Sequence, residues 1–407
     1  MSTASAIIGA GWGDEGKGLM TDALAGAESV VVRANGGSQA GHTVQRPDGT
    51  RHVFHHVGSG AFRGAATFLS RFFVHNPMML LRELSELAEI GISPVLFADP
   101  DGLVTTPWDM MINQIAEEAR SGGRHGSCGL GINETIRRSE REGFALRFRD
   151  LADQAKVTEI GARILHDWVP SRLAALGVLP DKTWQARLAS PIIAEHFAQD
   201  VEDMCRLVAV NDGAIAAAAA RADRLIFEGA QGLLLDQDHA FFPHVTPSKT
   251  GLANPSVLAA EWGVKEIRAI YMTRAYATRH GVGPFPREVR EMACPDETNI
   301  PNMWQGTLRF GVLDLDLLAE TIHEDEARAP VRIDKYLAMT CLDQVSHQAV
   351  WWRKNIKETG SGNELLEAAH DHMRLQLAGI SYGPCREDIR FSKGFCSNLA
   401  PLTSSYG

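Results

Sequence analysis

The sequence lacks the cysteine patterns that mark disulfide frameworks and zinc modules. Its 407 residues include six cysteines, none in a CxxC pair and none in a Cys/His cluster with zinc-finger spacing. We therefore expect reduced thiols in a cytoplasm. A charged amino-terminal segment followed by a long apolar run is also absent, as is any stretch of about 18 apolar residues. These absences predict a protein that is neither secreted nor membrane-spanning.

Positive charge is scarce as well. The chain has 40 Lys and Arg residues against 50 Asp and Glu residues, so its formal net charge is −10. This balance argues against a broad surface for nucleic acid or membrane, and an anionic substrate must then be bound by local groups. The 44% hydrophobic content excludes a disordered tail or a fibrous protein.

Short apolar runs alternate with helix-like segments along the chain. The runs lie at residues 5–9, 30–33, 94–97, 224–227, 267–272 and 336–339. This alternation predicts an α/β fold with a mixed, mainly parallel central sheet flanked by helices. Residues 150–222 are Ala-rich with helical periodicity, so we expect a mainly helical insertion covering the site, within a single domain spanning residues 1–407.

A glycine-rich segment, GWGDEGKG at residues 11–18, follows the first predicted strand and opens a helix. Its spacing fits the phosphate loop GxxxxGK, in which backbone N–H groups and a helix amino terminus bind phosphate. A standard phosphate loop continues with Ser or Thr to hold magnesium, but this chain has Gly18. Asp14 is the natural alternative source of oxygen. A merely structural turn would need the glycines but neither Lys17 nor Asp14.

Two further loops follow predicted strands. In residues 33–43, RANGGSQAGHT, the glycines let the backbone approach a ligand, and His42 can donate a proton or hydrogen bond to a leaving phosphate. A lone loop histidine is usually just solvated. However, we expect the strand at 30–32 to lie beside the first strand and bring His42 near Asp14. In the third segment, residues 227–246, Gln231 follows a strand, where ligands gather in α/β sheets.

These segments together resemble the adenylosuccinate synthetase family. GWGDEGKG, AGHTV, FEGAQG with its continuation to Thr246, and TRHGVGPFP at residues 278–286 occur in the family's order and at similar spacing over nearly the whole chain. The resemblance implies a ligase of purine nucleotide biosynthesis that joins L-aspartate to C6 of IMP through a 6-phosphoryl intermediate. The products would be adenylosuccinate, GDP and phosphate. It also implies GTP as co-substrate, one Mg²⁺ per subunit and a homodimer.

The resemblance assigns four catalytic candidates. Asp14 would remove the purine N1 proton so that O6 attacks the γ-phosphate, and His42 would assist the departing β-phosphate oxygen. Lys17 would neutralise the transferring phosphoryl group, and Gln231 would hold the charged purine oxygen.

The resemblance also implies binding residues. GTP contacts are Gly13, Glu15, Gly16, Lys17, Gly18, Gly41, Thr43, Asp343, Ser381 and Gly383, with Asp343 reading the guanine N1 and N2 hydrogens. Purine-nucleotide contacts are Gln39, Ser127, Cys128, Arg137, Gln231 and Thr246. Amino-acid contacts are Gln305, Thr307 and Arg309, and the magnesium ligands are Asp14 and the carbonyl of Gly41. Arg137, or Arg141 in its place, would act in the partner subunit's site.

Several positions depart from the family's pattern, chiefly on substrate contacts. Gln39 replaces an asparagine, Ser127 or Cys128 must replace threonine hydroxyls, and Cys341 replaces the lysine that flanks guanine. In the loop at 304–311 only Arg309 remains of several arginines, and Thr307 replaces one that touches both ribose and the amino-acid carboxylate.

Four alternatives follow from these departures. Specificity is unchanged if Arg279 or Arg274 compensates. A second alternative is the same chemistry on GMP or a 2′-deoxynucleotide, giving a 2-amino product, and a third is a different amino acid. A non-catalytic GTP-binding module is the remaining class, in which the Asp14, His42 and Gln231 set would be superfluous.

Overall fold

The computed structural model describes residues 3–120, 127–210, 224–290, 292, 307–345 and 348–396. Within these ranges the apolar runs form a sheet of ten strands, nearly all parallel. From one edge to the other they are β18 (Ile389–Phe391), β17 (Gln376–Ser381), β14 (Arg332–Thr340), β9 (Glu266–Arg274), β1 (Thr3–Gly9), β8 (Arg224–Gly232), β2 (Ser29–Arg33), β5 (Ala66–Leu69), β6 (Leu96–Ala98) and β7 (Val208–Val210).

Only β18 is antiparallel to its neighbour in this sheet, as described. The prediction of a mixed, mainly parallel sheet is therefore confirmed. Central strands are apolar on both faces because helices cover both sides of the sheet. Three smaller groups of strands accompany it: β3 (His42–Gln45) with β4 (Arg51–Phe54); β10 (Ala277–Arg279), β12 (Arg309–Gly311) and β11 (Glu288–Val289); and β13 (Leu313–Asp314), β15 (Ala349–Arg353) and β16 (Ile356–Gly360).

Two of the α-helices show how capping residues and proline favour a helix start. Asn76 caps the second helix and Thr106 the third, and each is followed by a proline in the first turn. In chain order the helices are α1 (Lys17–Leu24), α2 (Pro77–Glu89), α3 (Pro107–Ala119), α4 (Ile132–Ser139), α5 (Gln154–Arg163), α6 (Val169–Ala175), α7 (Lys182–Leu188), α8 (Pro191–Leu207), α9 (Ala253–Glu261), α10 (Leu315–Glu324), α11 (Gly362–Met373) and α12 (Lys393–Cys396).

The segment that sequence predicts as a helical insertion contains α5 to α8. These helices pack on α2 and α3 around a core that includes Trp108, Trp168 and Phe197. After α8 the chain forms β7, a parallel edge strand. Residues 211–222 of the predicted insertion lie outside the described residues, and its role as an insertion within one domain stays a prediction. Among the described helices, none has both the length and the apolar character needed to cross a bilayer.

One expectation about strand order is wrong. Sequence analysis places the strand at 30–32 beside β1, but β8 lies between β1 and β2. The intervening strand comes from nearly 200 residues further along the chain, so β1 and β2 are not neighbours in the sheet although they are successive strands. The carboxyl ends of β1, β2, β8, β9, β14 and β17 nevertheless meet at one edge, because these strands run parallel.

Candidate functional site

The loop between β1 and α1 is folded around the side-chain carboxylate of its own residue Glu15. Gly13, Asp14 and Gly16 have φ of 99°, 62° and 87°, in the left-handed region. The Glu15 side chain accepts hydrogen bonds from the amides of Gly11 (3.1 Å) and Gly13 (2.7 Å) and from Lys17 Nζ (2.9 Å). The loop therefore directs three donors at one anionic group, as expected of a phosphate loop.

The structure explains why this loop ends in Gly18 rather than Ser or Thr. A Cβ atom at Gly18 would lie 3.0 Å from His42 Cβ and 3.1 Å from Ser59 Oγ. The space of the usual hydroxyl is thus occupied by β3 and by the 3₁₀ turn Ser59–Arg63. On the other side, Thr340 Oγ1 donates to the Glu15 carbonyl at 3.2 Å, which joins the end of β14 to the loop.

Asp14 is held as a carboxylate. Its Oδ2 lies 2.9 Å from His280 Nε2, and Arg274 donates to its backbone carbonyl. Burial raises the pKa of Asp14, but the hydrogen bond and charge of His280, with the charges of Arg274 and Lys17, outweigh it and lower that pKa to about 2. A quarter of the side chain is exposed. Asp14 is therefore ionised and accessible at neutral pH.

His42 stands at the start of β3 in a buried charged network. Its Nδ1 lies 2.7 Å from Glu228 Oε1, and Arg33 Nη1 lies 3.1 Å from Glu228 Oε2. Burial lowers the pKa of His42, Glu228 raises it and Arg33 lowers it, with a result of about 4. The imidazole is therefore neutral at pH 7. Sequence reasoning missed Glu228 and Arg33, although a charged residue in each of two apolar strands was an available signal.

Gln39 and Gln231 carry buried amide atoms that lack partners among the residues that the structure describes. Within the described part of the chain, Oε1 of Gln231 and both amide atoms of Gln39 make no hydrogen bond. Both side chains converge on Gly36, where a Cβ would lie 3.4 Å from Gln231 Oε1 and 3.6 Å from Gln39 Nε2. Reciprocal hydrogen bonds between Asn35 and Ala230, of 3.0 and 2.8 Å, join the two loops. Because an unpaired buried polar group costs about 1–3 kcal/mol, these amides indicate a binding site for a polar ligand.

The predicted purine-phosphate loop approaches the same place. A Cβ at Gly37 would lie 2.8 Å from Ile132 Cδ1, at the start of α4, which follows that loop. Ser127 Oγ accepts from Asn113 Nδ2 at 2.9 Å, and burial raises the pKa of the Cys128 thiol to about 11. Residues 125–126 lie outside the described residues. Thr246 is half-buried, and its amide donates to the Leu235 carbonyl at 2.8 Å.

The two arginines at the end of α4 have different environments. Arg138 is fully buried, and its Nε lies 2.9 Å from Asp109 Oδ1. Arg137 is exposed and makes no ion pair or hydrogen bond with any described residue, and Arg141 is exposed as well. Arg137 and Arg141 are therefore available for contacts outside this chain, whereas Arg138 stabilises the fold.

The residues predicted to read guanine lie at the ends of two adjacent strands. Asp343 is exposed in the 3₁₀ turn Leu342–Val345, directly after β14 and after Cys341, whose φ is 61°. Ser381 ends β17, and its hydroxyl donates to the Gly383 carbonyl at 2.7 Å. Since β14 and β17 are parallel neighbours, these two groups emerge at the same edge as the phosphate loop.

The predicted amino-acid side is less complete. Gln305 lies outside the described residues, and Thr307 is exposed. The Arg309 guanidinium donates to both carboxylate oxygens of Glu288 (2.8 and 2.6 Å) and to two loop carbonyls. Arg279 is buried, stacks on Trp12 at 4.2 Å and donates to three carbonyls. The guanidinium groups of both arginines are therefore bonded to other groups of this chain. The proposed binding of the amino-acid substrate by Gln305, Thr307 and Arg309 stays a prediction.

The remaining predicted phosphate and metal residues lie around β3. Gly41 is exposed, and Thr43 is half-buried. In the ranges that the structure describes, no group of three or more His, Cys, Asp or Glu side chains could hold a metal ion. Asp14 Oδ1 accepts no hydrogen bond from a described residue, so one hard oxygen is available there. This donor set fits Mg²⁺, which binds through one or two protein oxygens together with substrate phosphates and water.

The parallel sheet, the loop after β1 and the polar groups at the carboxyl edge form the arrangement typical of nucleotide-binding α/β proteins. The sequence model of one family, adenylosuccinate synthetase, matches residues 6–347. The chain therefore belongs to the adenylosuccinate synthetase family, and the resemblance inferred from its motifs is confirmed.

Comparison with individual proteins agrees with this assignment. The adenylosuccinate synthetase of Thermosynechococcus vestitus is 36% identical over 292 residues, which cover 70% of this chain and 62% of that protein. The fully ligated adenylosuccinate synthetase of Plasmodium falciparum has a similar fold, with a TM-score of 0.74, 17% identity and coverage of 96% of this chain and 100% of that one. The succinoaminodeoxyadenylate synthetase of cyanophage S-2L matches with a TM-score of 0.60, 18% identity and 98% coverage of both chains. The two structures support the fold alone.

Proposed function

We propose that the protein is a GTP-dependent ligase that joins L-aspartate to C6 of IMP through a 6-phosphoryl intermediate, giving adenylosuccinate, GDP and phosphate. Family membership supports this reaction. The observation that carries it is that both amide atoms of Gln39 and Oε1 of Gln231 are buried without a hydrogen-bond partner among the described residues. A Cβ at Gly13 would lie 3.8 Å from Gln231 Cα, so Gln231 is adjacent to the residue preceding Asp14.

The environment of each group suits a separate part of this chemistry. Asp14, which is ionised, accepts the proton from purine N1, and general-base catalysis of this kind contributes about 10²–10⁴-fold. Gln231 can hydrogen-bond the purine oxygen as it gains charge. Lys17 and the loop amides stabilise the transferring phosphoryl group, provided that the nucleotide displaces the Glu15 carboxylate from them.

The protein's own oxygens would hold Mg²⁺ at Asp14 and the Gly41 carbonyl. When bound, the ion would supply positive charge to the phosphate oxygens of GTP. Asp343, Ser381 and Gly383 would bind the guanine, with the exposed Asp343 carboxylate accepting from N1 and N2 of the base. The remaining GTP contacts would come from the loop and β3, through Gly13, Glu15, Gly16, Gly18 and Thr43.

We propose a homodimer as the active unit. Arg137 is exposed and without a partner among the described residues, which suits an arginine that reaches the nucleotide phosphate of a second subunit. The purine nucleotide would then be held by groups from both chains. Those from its own chain would be Gln39, Ser127, Cys128, Gln231 and Thr246.

A second candidate is the same chemistry on GMP or dGMP, giving a 2-amino product. The cyanophage structure is bound to dGMP, with dATP as an energy donor. In this chain Thr307 is exposed, and Arg309 is paired with Glu288 rather than free for a ribose or a carboxylate. This arrangement leaves the 2′-hydroxyl without the arginine contact that the family resemblance implies.

A substrate matrix tests the proposal and separates the candidates. IMP, GMP and their deoxy forms would each be combined with L-aspartate and other amino acids, with GTP or ATP, and phosphate release would be measured. We expect release to require both a purine nucleotide and an amino acid. Turnover with IMP would support the first candidate, and turnover with only GMP or dGMP the second. Hydrolysis independent of purine would contradict both.

The Asp14→Ala variant tests the general-base role. We expect at least a 10²-fold loss of turnover with the fold retained, because the variant loses the base and a magnesium oxygen. Asp371→Ala is a matched control, since Asp371 is exposed on α11, away from the sheet edge that carries the site. Activity of Asp14→Ala close to that of the parent protein would refute this role.

A further inference from the structure

Glu228 is a carboxylate buried completely within the central sheet. The groups that contact its two oxygens are hydrogen-bond donors. Oε1 accepts from the Ser59 hydroxyl and lies 2.7 Å from His42 Nδ1. Oε2 accepts from the Ser59 amide at 3.0 Å and lies 3.1 Å from Arg33 Nη1. Burying a carboxylate is unfavourable, and an apolar core of the same volume is often equally stable. Stability alone is therefore a weak explanation for this group.

The partners of Glu228 come from three separate parts of the fold. Arg33 ends β2, which pairs with β8 in register so that Arg33 lies opposite Glu228. Ser59 begins the 3₁₀ turn Ser59–Arg63, and His42 begins β3. The carboxylate is thus fixed on two sides by the sheet and the turn, and the imidazole is the one partner that belongs to the proposed phosphate site.

The chemistry of these contacts determines which ring nitrogen of His42 carries hydrogen. Burial raises the pKa of Glu228, but Arg33 and His42 lower it to about 2, so the carboxylate is ionised and only accepts. Nδ1 must therefore donate to it, whether the imidazole is neutral or charged. Arg33 Nη1 lies 3.0 Å from the same nitrogen but has no lone pair to offer it.

The other ring nitrogen is left for a ligand. His42 Nε2 makes no hydrogen bond with a described residue, and the side chain retains 7% exposure. The backbone of α1 also approaches His42 closely, because the position of a Cβ on Gly18 lies only 3.0 Å from His42 Cβ. Nε2 is consequently the nitrogen that a nucleotide bound at the phosphate loop would meet. It holds a lone pair in the neutral ring and donates a hydrogen bond to a phosphate oxygen only in the imidazolium form, in which Nδ1–H still bonds Glu228.

We propose that Glu228 is a positioning residue for His42, whose orientation and Nδ1–H tautomer it fixes, and that Arg33 and Ser59 hold Glu228 in place. This inference rests on the proposed function for its effect on turnover. The juxtaposition of the four residues does not depend on that function. A hydrogen-bonded carboxylate that orients a histidine is a general way of fixing both its ring and its tautomer.

Nitrogen-15 NMR of histidine-labelled protein tests the tautomer without any substrate. The His42 signals would be assigned by their loss in His42→Asn. We expect Nδ1 protonated in the parent protein, and a mixture of tautomers in Glu228→Gln, whose amide is neutral and presents a donor to Arg33. An Nε2–H tautomer in the parent protein would overturn the proposal even if Glu228→Gln failed to fold.

Glu83→Gln is the matched control for loss of a buried carboxylate. Glu83 is equally buried and accepts from the amides of His55, His56 and Val57, but it does not contact His42. We expect Glu83→Gln to lower the unfolding temperature without changing the His42 tautomer. If Glu83→Gln and Glu228→Gln alter the His42 signals equally, a general structural effect is responsible and the proposal is wrong.

Kinetics test how the effect reaches the reaction. We expect Glu228→Gln to lower kcat about 10- to 100-fold with little change in the KM for the purine nucleotide, and Glu228→Asp to restore part of the loss. The double variant with His42→Asn should lose no more than His42→Asn alone, because Glu228 acts through the imidazole. Additive losses would contradict the proposal. Absence of ligase activity in the parent protein would contradict the proposed function but leave the NMR result intact.

Discussion

Replacing Gly18 by alanine or serine tests how the phosphate loop differs from a standard one. If the loop had the usual geometry, Gly18→Ser would restore a magnesium-binding hydroxyl and preserve activity. In this fold the new Cβ would lie 3.0 Å from His42 Cβ and 3.1 Å from Ser59 Oγ. Ordinary carbon contacts are about 3.5–4.0 Å, so His42 or Ser59 must move by several tenths of an ångström.

Two opposing effects set the size of the stability change. Overpacking of this kind costs about 1–3 kcal/mol, whereas removing glycine from a helix gains at most about 1 kcal/mol. We therefore expect a net loss of about 1 kcal/mol, or a fall of about 2 °C in the unfolding temperature. Displacement of His42 should lower turnover about 10-fold, because small errors in the position of reacting groups are costly.

Thermal unfolding and GTP-dependent phosphate release would be measured on the same preparations. Gly362→Ala is the matched control, since Gly362 also lies in the first turn of a helix and the atom nearest to its added Cβ, Leu342 Cδ2, would be 3.4 Å away. We expect this control to be neutral or stabilising. A Gly18→Ser protein as stable and as active as the parent would refute the crowding argument.

Three further predictions concern specificity, pH and assembly. Asp343→Asn should reduce the preference for GTP over ATP, because an amide can accept only one of the two guanine hydrogens; equal use of both nucleotides by the parent protein would rule out this role. Burial raises the pKa of Asp325 from 3.8 to about 6. The folded protein therefore loses stability as the pH rises from 3.8 through 6, because the buried carboxyl group must ionise, and it bears no such loss below pH 3.8. Asp325→Asn should therefore stabilise the protein by about 1–3 kcal/mol at pH 8 and not at pH 3.5, and parallel stability curves across that range would be inconsistent with the pKa. Mixing Arg137→Ala with Asp14→Ala chains should restore some activity if the arginine acts across a dimer, whereas a fully active monomer in sedimentation would exclude that arrangement.

The sequence by itself determined the local elements of this protein. A strand, a glycine loop and a helix at residues 3–24 are encoded in adjacent residues, and so is the helix at Pro77–Glu89, with its asparagine cap, early proline and regularly spaced leucines. Family membership is carried by similar contiguous motifs. Such features depend on local sterics, capping and periodicity, which need no knowledge of the rest of the fold.

Only the tertiary structure decided which distant groups meet. Strand order places β8 between β1 and β2, so Arg33 lies opposite Glu228 and both lie against His42. His280, which directly follows β10, reaches Asp14 in the same way. The physical reason is that strand pairing is a choice among many non-local contacts of similar favourable energy. A charge in an apolar strand signals that a partner exists, but the partner is identified only when the whole sheet is assembled.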